Sequence, residues 1–425
     1  MTHSPSLADI AAKLEAYDPQ ALPASEVLKF LDQLVAPVQD SESVDIFTAL
    51  GRVTSQDVIS PINVPPHDNS AMDGYAFHGS ALNKAQALSL KVVGTALAGK
   101  AWQGQVQEGE CVKIMTGAIM PQGLNTVVPQ ELCKMRAENE IEIPAGLLQV
   151  GDNRRLCGED IMQGKAALHK GALITPAAAG LLASLGVPRV SVVRRLRVAY
   201  FSTGDEILSL GESPREGAVY DSNRYTVHGM LQSLGCEMVD MGVVKDDPFL
   251  LEQAFNQAAE QADAIITSGG VSVGEADFTK AMMKKLGDVV FWKIAMRPGR
   301  PMAVGRIQKD NRSAILFGLP GNPVAVMVTF LAFVKPALLK MMGSSASPEP
   351  MMRAKTLELL RKKPGRTEYQ RGLVSRNANG ELEVVTTGNQ GSGVLSSMVQ
   401  ANALIVLSHQ QGTAQAGDWV DVLML

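Results

Sequence analysis

From about residue 194 to 342 the chain alternates short apolar runs with amphipathic stretches joined by brief turns, and this rhythm constrains the fold more than any other feature. Leu196-Arg-Val-Ala-Tyr-Phe201, residues 238–244, Ala264-Ile-Ile-Thr267, 289–294 and 314–317 read as strands. Helices are expected from near Asp221 to Gly235, over 249–261 and 278–286, and after Pro323. Strands joined by helical crossovers build a doubly wound parallel sheet, and such sheets bind ligands at the carboxyl ends of their strands.

The rest of the chain has a different texture. Residues 1–40 keep helical spacing, with Pro23 as a stop and Ser25 as a fresh N-cap. A short helix after Asp45 is expected to run into a strand at Asp57-Val-Ile-Ser60, and Pro61, Pro65 and Pro66 then mark a boundary. Apolar runs at 88–93, 111–115, 126–128 and 141–143, separated by Gly, Pro and Asn clusters, describe a small β-rich insert. A helix over 177–185 follows, and short strands at 371–375, 382–386, 403–407 and 419–424 form a separate C-terminal group. The expectation is an α/β multidomain chain: a catalytic α/β domain from 1–40 plus 194–345, a small linking α/β domain from 41–62 plus 160–193, an inserted β-rich domain at 63–159 and a C-terminal β-domain at 346–425.

Composition removes several function classes. A net charge of −4 argues against a broad nucleic-acid footprint, which needs a basic surface. The longest apolar stretch, 324–339, is interrupted by Lys335 and Pro336, so no membrane span is expected. Cys111, Cys133, Cys157 and Cys236 form no Cys-x-x-Cys pair and suit free thiols in a reducing, cytoplasmic setting.

The chemistry-bearing residues collect at the expected strand ends. Thr267-Ser-Gly-Gly-Val-Ser-Val-Gly-Glu-Ala-Asp277 carries Gly269, Gly270 and Gly274 with Ser268 and Ser272, just before a helix. Glycines let backbone N–H groups approach an anion, and a helix N-terminus favours negative charge, so the loop reads as a phosphate holder. Glu206, Asp246, Asp247 and Asp277 close on the same edge; one acid after a strand is most often a cap, but several beside a phosphate loop suit Mg²⁺. Lys293, Arg297 and Arg300 share a turn stiffened by Pro298 and Pro301, a geometry that clamps anions at low entropic cost. Gly318-Leu-Pro-Gly-Asn-Pro323 places Pro320, Gly321, Asn322 and Pro323 at the start of a helix. In the insert, the polar run His67–Ala76 makes a poor core strand, and Asp73-Gly74 is a turn signal.

Taken in order, Asp68-Asn-Ser-Ala-Met-Asp-Gly-Tyr-Ala76, Lys113-Ile-Met-Thr-Gly-Ala118, Gly158-Glu-Asp160, Ser202-Thr-Gly-Asp-Glu206, Asp221-Ser-Asn-Arg224, the 268–277 loop and Gly318–Pro323 resemble the molybdopterin molybdenumtransferases, the molybdenum insertases related to the catalytic domain of gephyrin. The resemblance runs from about residue 20 to the C-terminus. It implies a transferase that uses Mg²⁺ to pass molybdate into adenylylated molybdopterin with release of AMP. It implies a homodimer in which the insert of one subunit faces the cleft of the other, with molybdopterin adenylyltransferase and molybdoenzyme apoproteins as partners. By matching position it assigns function to Asp73, Thr116, Glu206, Asp246, Asp277, Lys293, Arg297, Pro320, Pro323, Arg371 and Ser392. Glu206, Asp246 and Asp277 become the metal ligands. Ser268, Gly269, Gly270, Ser272, Gly274, Arg300, Gly321 and Asn322 join Pro320, Pro323, Arg371 and Ser392 as substrate contacts. Family members often carry Lys where Arg297 and Arg300 stand, and many carry Ser at the position of Ala325. A nucleotide pyrophosphatase would use the same loop and acids but leaves the basic turn unexplained, and a non-catalytic scaffold would not need the acids.

Overall fold

The computed structural model describes residues 5–14, 16–270, 278–346 and 350–425. Its centre is a six-stranded sheet of β1 (Arg197–Thr203), β2 (Glu237–Val244), β3 (Ala264–Ser268), β4 (Gly287–Lys293), β5 (Pro301–Lys309) and β6 (Arg312–Leu319), in the order β2-β1-β3-β6-β5-β4. Strands β2, β1, β3 and β6 pair in parallel, and β5 lies antiparallel to both β6 and β4. Two reversals restore the direction, so β4 points the same way as the parallel strands and its end, Lys293, falls on their carboxyl edge.

The reversed strand β5 is an addition to the expected pattern. Pro301 opens it, which the ladder tolerates because a first residue need not donate, and Gly305 faces Asp288 so closely that a Cβ there would stand 2.1 Å from the carbonyl oxygen. A Pro–Gly-punctuated segment therefore reads as a turn in sequence and forms a strand in space.

Helices cover both faces. Pro248–Gln261 and Phe278–Leu286 bury Leu251, Phe255, Ala258 and Met283 against one face, and Phe201 meets Phe255 edge-on at 5.1 Å. On the other face Ser222–Ser233 and the N-terminal helix Ala24–Leu34 pack with Tyr200, Ile266 and Phe317. Phe30 sits edge-on to Trp292 at 4.9 Å, adding a directional aromatic contact to the buried area. That helix starts at Ala24 with Pro23 in the cap position, φ −61°, and Ser25 lies inside its first turn rather than at the cap. The stretch Pro323–Met341 stays helical despite Pro336: a π-turn at Phe330–Val334 widens the ladder just before the proline ring. Long and apolar enough to cross a membrane, this helix is instead largely buried, with Val324, Val328, Phe333 and Leu338 in the core.

The insert folds as a six-stranded sheet in which Gly74–Phe77 is a buried strand between Glu110–Ile114 and Thr126–Pro129. The strand begins inside the polar run His67–Ala76, and Asn69–Ser70 in the same run pairs with Arg154–Arg155, so the expectation of a poor strand fails at both places and only 71–73 is left as the turn. Gly74 is required by contact: a Cβ would stand 2.0 Å from the Val128 carbonyl oxygen. Gly74→Ala is expected to cost about 3 kcal/mol through overpacking. The check is amide exchange, which should accelerate across 110–114 while the C-terminal strands stay protected.

The linking region is built from two short ladders, Ser41–Asp45 with Arg189–Val193 and Val58–Ile59 with Ala166–Leu168. Only a three-residue 3₁₀ turn, Ile46–Thr48, stands where a short helix was expected. In the C-terminal region Thr367–Arg376, Leu382–Thr386, Met352–Thr356, Trp419–Met424 and Ala403–Leu407 pair around a closed ring, because Thr367–Arg376 bonds both its first and last neighbours. The segment Met296–Arg297 adds in parallel to Thr367–Glu368 and ties the ring to the basic turn. All four cysteines are free thiols.

Candidate active site

A cleft of about 650 Å³ runs along the carboxyl edge of the central sheet. Its lining follows the strand order. Thr203, Gly204, Glu206 and Asp246 come from the ends of β1 and β2; Gly269, Gly270, Pro320, Gly321 and Asn322 follow β3 and β6; Met296 to Pro301 connect β4 to β5. The cleft thus has an acidic end, a glycine-rich middle and a basic end.

At the acidic end the two neighbouring acids divide their work. Asp247 caps helix Pro248–Gln261, accepting from the Phe249 and Leu250 N–H groups at 2.9 and 3.0 Å, while Asp246 lines the cleft. Asp277, Ser272 and Gly274 lie outside the described residues. Among the described residues no group of three or more His, Cys, Asp or Glu is arranged to hold a metal. Two carboxylates, Glu206 and Asp246, opening onto the cleft nevertheless fit Mg²⁺, which commonly takes one or two carboxylates and fills its octahedron with phosphate oxygens and water.

In the middle, Ser268 turns away from the cleft. Its Oγ lies 2.8 Å from the Tyr200 hydroxyl and 3.1 Å from Ser202 Oγ, and the residue is buried, so Gly269 and Gly270 rather than the Ser268 hydroxyl face a ligand. Burial pushes the Tyr200 phenol well above its ordinary range, which keeps it a neutral hydrogen-bonding partner here. Asn322 occupies the N-cap position of Pro323–Thr329 without a side-chain cap bond, is exposed and lines the cleft; Pro323 is the first residue of that helix and does not line it.

The basic turn is stitched from both sides. Leu22 N–H donates to the Lys293 carbonyl, Lys293 N–H to Pro19, Ala295 N–H to Leu22, and Thr367 N–H to Ala295. Ile294 N–H closes the turn onto the Arg300 carbonyl at 2.6 Å. Gly299, at φ +95°, leaves no room for a side chain, since a Cβ would stand 2.4 Å from Thr329 Oγ1. Arg297 and Arg300 are exposed and line the cleft, whereas Lys293 is half-buried and does not.

Arg371 does not reach the cleft either. It is 1% exposed, and its guanidinium donates to Ser397 Oγ at 3.0 Å and to the carbonyls of Asn389 and Gly391 at 3.1 and 2.9 Å. Burial, then the nearby Arg297 charge, lowers its affinity for its proton from the ordinary arginine value. Its backbone holds the same loop: Arg371 N–H donates to Gln390 Oε1 at 2.7 Å, and Gln390 Nε2 returns a bond to the Arg371 carbonyl at 3.1 Å. The loop so held brings Gln390 and Ser392 to the cleft, and the Ser392 carbonyl accepts from Val324 N–H at 3.1 Å. Gln390 and Arg366 are lining residues that sequence reasoning missed, for neither belongs to a motif. Arg366 is held by Glu368 through Nε at 2.7 Å, a pairing that the alternation of residues 366 and 368 at the start of a strand could have suggested.

Asp73 and Thr116 meet each other but not this cleft. Asp73 Oδ1 accepts from Thr116 N–H at 2.6 Å and from Thr116 Oγ1 at 2.8 Å, and these bonds, the backbone one foremost, hold the carboxyl below its usual value.

Residues 22–186 match the family described as MoeA N-terminal region (domain I and II), 199–340 the probable molybdopterin binding domain, and 353–425 the MoeA C-terminal region (domain IV). The chain is 42% identical over 395 residues to a molybdopterin molybdenumtransferase of Haemophilus influenzae, covering 93% of this chain and 96% of that protein. It is 36% identical to the enzyme of the same name from a Nostoc species, over 91% and 89% of the two chains, and 31% identical to gephyrin of Dictyostelium discoideum, over 95% of this chain and 62% of gephyrin. Among solved structures, a molybdopterin biosynthesis moeA protein of Pyrococcus horikoshii superposes with a TM-score of 0.80 at 26% identity, covering 96% of this chain and 100% of the other. With a relative above two-fifths identity along almost its whole length and all its parts matched in order, the chain belongs to the molybdopterin molybdenumtransferase family, transferases of molybdenum-cofactor synthesis.

Proposed function

We propose that the chain transfers molybdate into adenylylated molybdopterin in a Mg²⁺-dependent reaction that releases AMP. The observation that carries this reading is the order of the cleft: carboxylates, then glycine loops, then arginines, along one sheet edge. A phosphoanhydride fits the first two zones, and a tetrahedral oxyanion such as molybdate fits the third. Backbone groups at Gly270 and Gly321 hold the substrate's phosphates, while the Gly269 N–H donates to the Leu319 carbonyl and fixes the loop between them. Glu206 and Asp246, with Asp277, would hold Mg²⁺, which supplies charge neutralisation at the phosphoanhydride. Arg297 and Arg300 bind molybdate, their planar guanidinium groups suiting paired oxygens, and Ser392 adds a hydroxyl from the opposite wall. Ala325 lines the cleft without a hydroxyl, so molybdate recognition falls to these groups.

Asp73 and Thr116 lie apart from their own chain's cleft, which supports a homodimer in which the insert of one subunit serves the cleft of the other, and four free thiols suit a reducing, cytoplasmic setting. Molybdopterin adenylyltransferase would then deliver the substrate, and molybdoenzyme apoproteins would receive the product. The test is to incubate the protein with adenylylated molybdopterin, Mg²⁺ and molybdate and to follow AMP and active cofactor together. Equal yields of both are expected, and AMP formed without molybdate at the same rate would replace this reading with simple hydrolysis.

A further inference from the structure

The stretch Asp221-Ser-Asn-Arg224 does not line the cleft, yet it lies directly beneath its middle. Helix Ser222–Ser233 starts here, and Asp221 caps it by accepting from Arg224 N–H at 3.1 Å. The next residue but one, Asn223, is 8% exposed and does not line the cleft. Its Nδ2 donates to the Gly321 carbonyl at 2.7 Å and lies 3.4 Å from Ser268 Oγ. The orientation of this amide follows from chemistry, because a carbonyl only accepts and the nitrogen must face it.

Gly321 and Ser268 belong to different loops, one after β6 and one after β3. Those loops approach closely: Gly269 N–H donates to the Leu319 carbonyl at 3.2 Å, and a Cβ on Gly321 would stand 3.9 Å from Gly269 Cα. Ser268 is braced from below by Tyr200 and Ser202, so one buried hydrogen-bonded chain runs from Tyr200 through Ser268 and Asn223 to Gly321. Among the described residues Asn223 Oδ1 is buried without a partner.

We propose that Asn223 is a positioning residue that spans the two glycine loops and sets their separation for the substrate's phosphates without touching the substrate. This rests on the cleft being the substrate site. Opening the span lets Gly321 and Gly269 drift apart, and a misplacement of about 1 Å costs on the order of a hundredfold in rate.

Asn223→Asp keeps the side-chain shape but sets an oxygen against the Gly321 oxygen. Relative to wild type, kcat/KM for cofactor formation should fall about a hundredfold near pH 8. It should partly recover near pH 5.5, since burial raises an aspartate's pKa and the protonated carboxyl can again donate to Gly321. Asn223→Ser, too short to span the loops, should show the same loss without the recovery. In both variants amide exchange at Gly269 should quicken about tenfold while the sheet core stays protected, a readout that needs no turnover. A folded variant with near-wild-type activity, an Asn223→Asp loss indifferent to pH, or unchanged exchange at Gly269 each overturns the proposal. Failure of both variants to fold also overturns it, by making Asn223 structural. A wild-type protein that forms no cofactor in this assay would instead remove the proposed function, and the exchange measurement would still judge the span.

Discussion

Replacing Glu206 by Gln and Asp246 by Asn together should lower cofactor formation about a thousandfold, the loss of roughly 4 kcal/mol of metal-assisted charge stabilisation. Both residues are exposed at the cleft, so neither substitution opens a cavity. Surface changes of this kind move stability by about 0.5 kcal/mol or less, and the melting temperature should barely change. The discriminating measurement is activity against Mg²⁺ concentration: a raised requirement, with activity partly restored at high Mg²⁺, is the expected result. A folded double variant with wild-type rates at low Mg²⁺ would remove these carboxylates from metal binding. Asp247→Asn makes the control, because that acid's bonds go to the start of a helix and Asn caps nearly as well.

Arg371→Ala should be damaging for a different reason. The substitution leaves the Asn389 and Gly391 carbonyls and the Ser397 hydroxyl without their donor inside a closed space. Unmet buried acceptors and the void together should cost about 3 kcal/mol, seen as a lower denaturant midpoint for the C-terminal ring. Activity should fall further than stability alone explains, because the loop carrying Gln390 and Ser392 loses its anchor. Arg371→Lys should rescue little: one ammonium cannot reach three acceptors set out for a planar fork. If the lysine variant were fully active, a simple positive charge rather than this frame would be what the site requires.

Much of this arrangement was legible in the residues. The strands ending at Thr203, Val244, Ser268 and Leu319 announce themselves by apolar runs closed with Gly, Ser or Asp, and their shared edge follows from parallel topology. What escaped reading depends on distance in sequence. Nothing local tells Asp246 from Asp247; only the direction of the helix start separates a cap from a wall of the cleft. Arg371 and Ser268 carry polar groups that look available in a motif, yet both spend them inward, on partners up to 68 residues away. Strand Pro301–Lys309 hid behind its proline and glycine because its partners on either side supply the regularity that its own composition lacks.

The parallel pairing of Met296–Arg297 with Thr367–Glu368 makes the C-terminal ring part of the cleft rather than an appendage to it. A protein cut at about residue 350 would keep the central sheet, the acids and the glycine loops, and so could still hold a nucleotide. It would have lost the outer rail of its basic turn together with Arg366, Gln390 and Ser392. Such a fragment would keep Arg297 and Arg300 but lose the wall that faces them, so the last fifth of the chain is what encloses the basic end of the cleft.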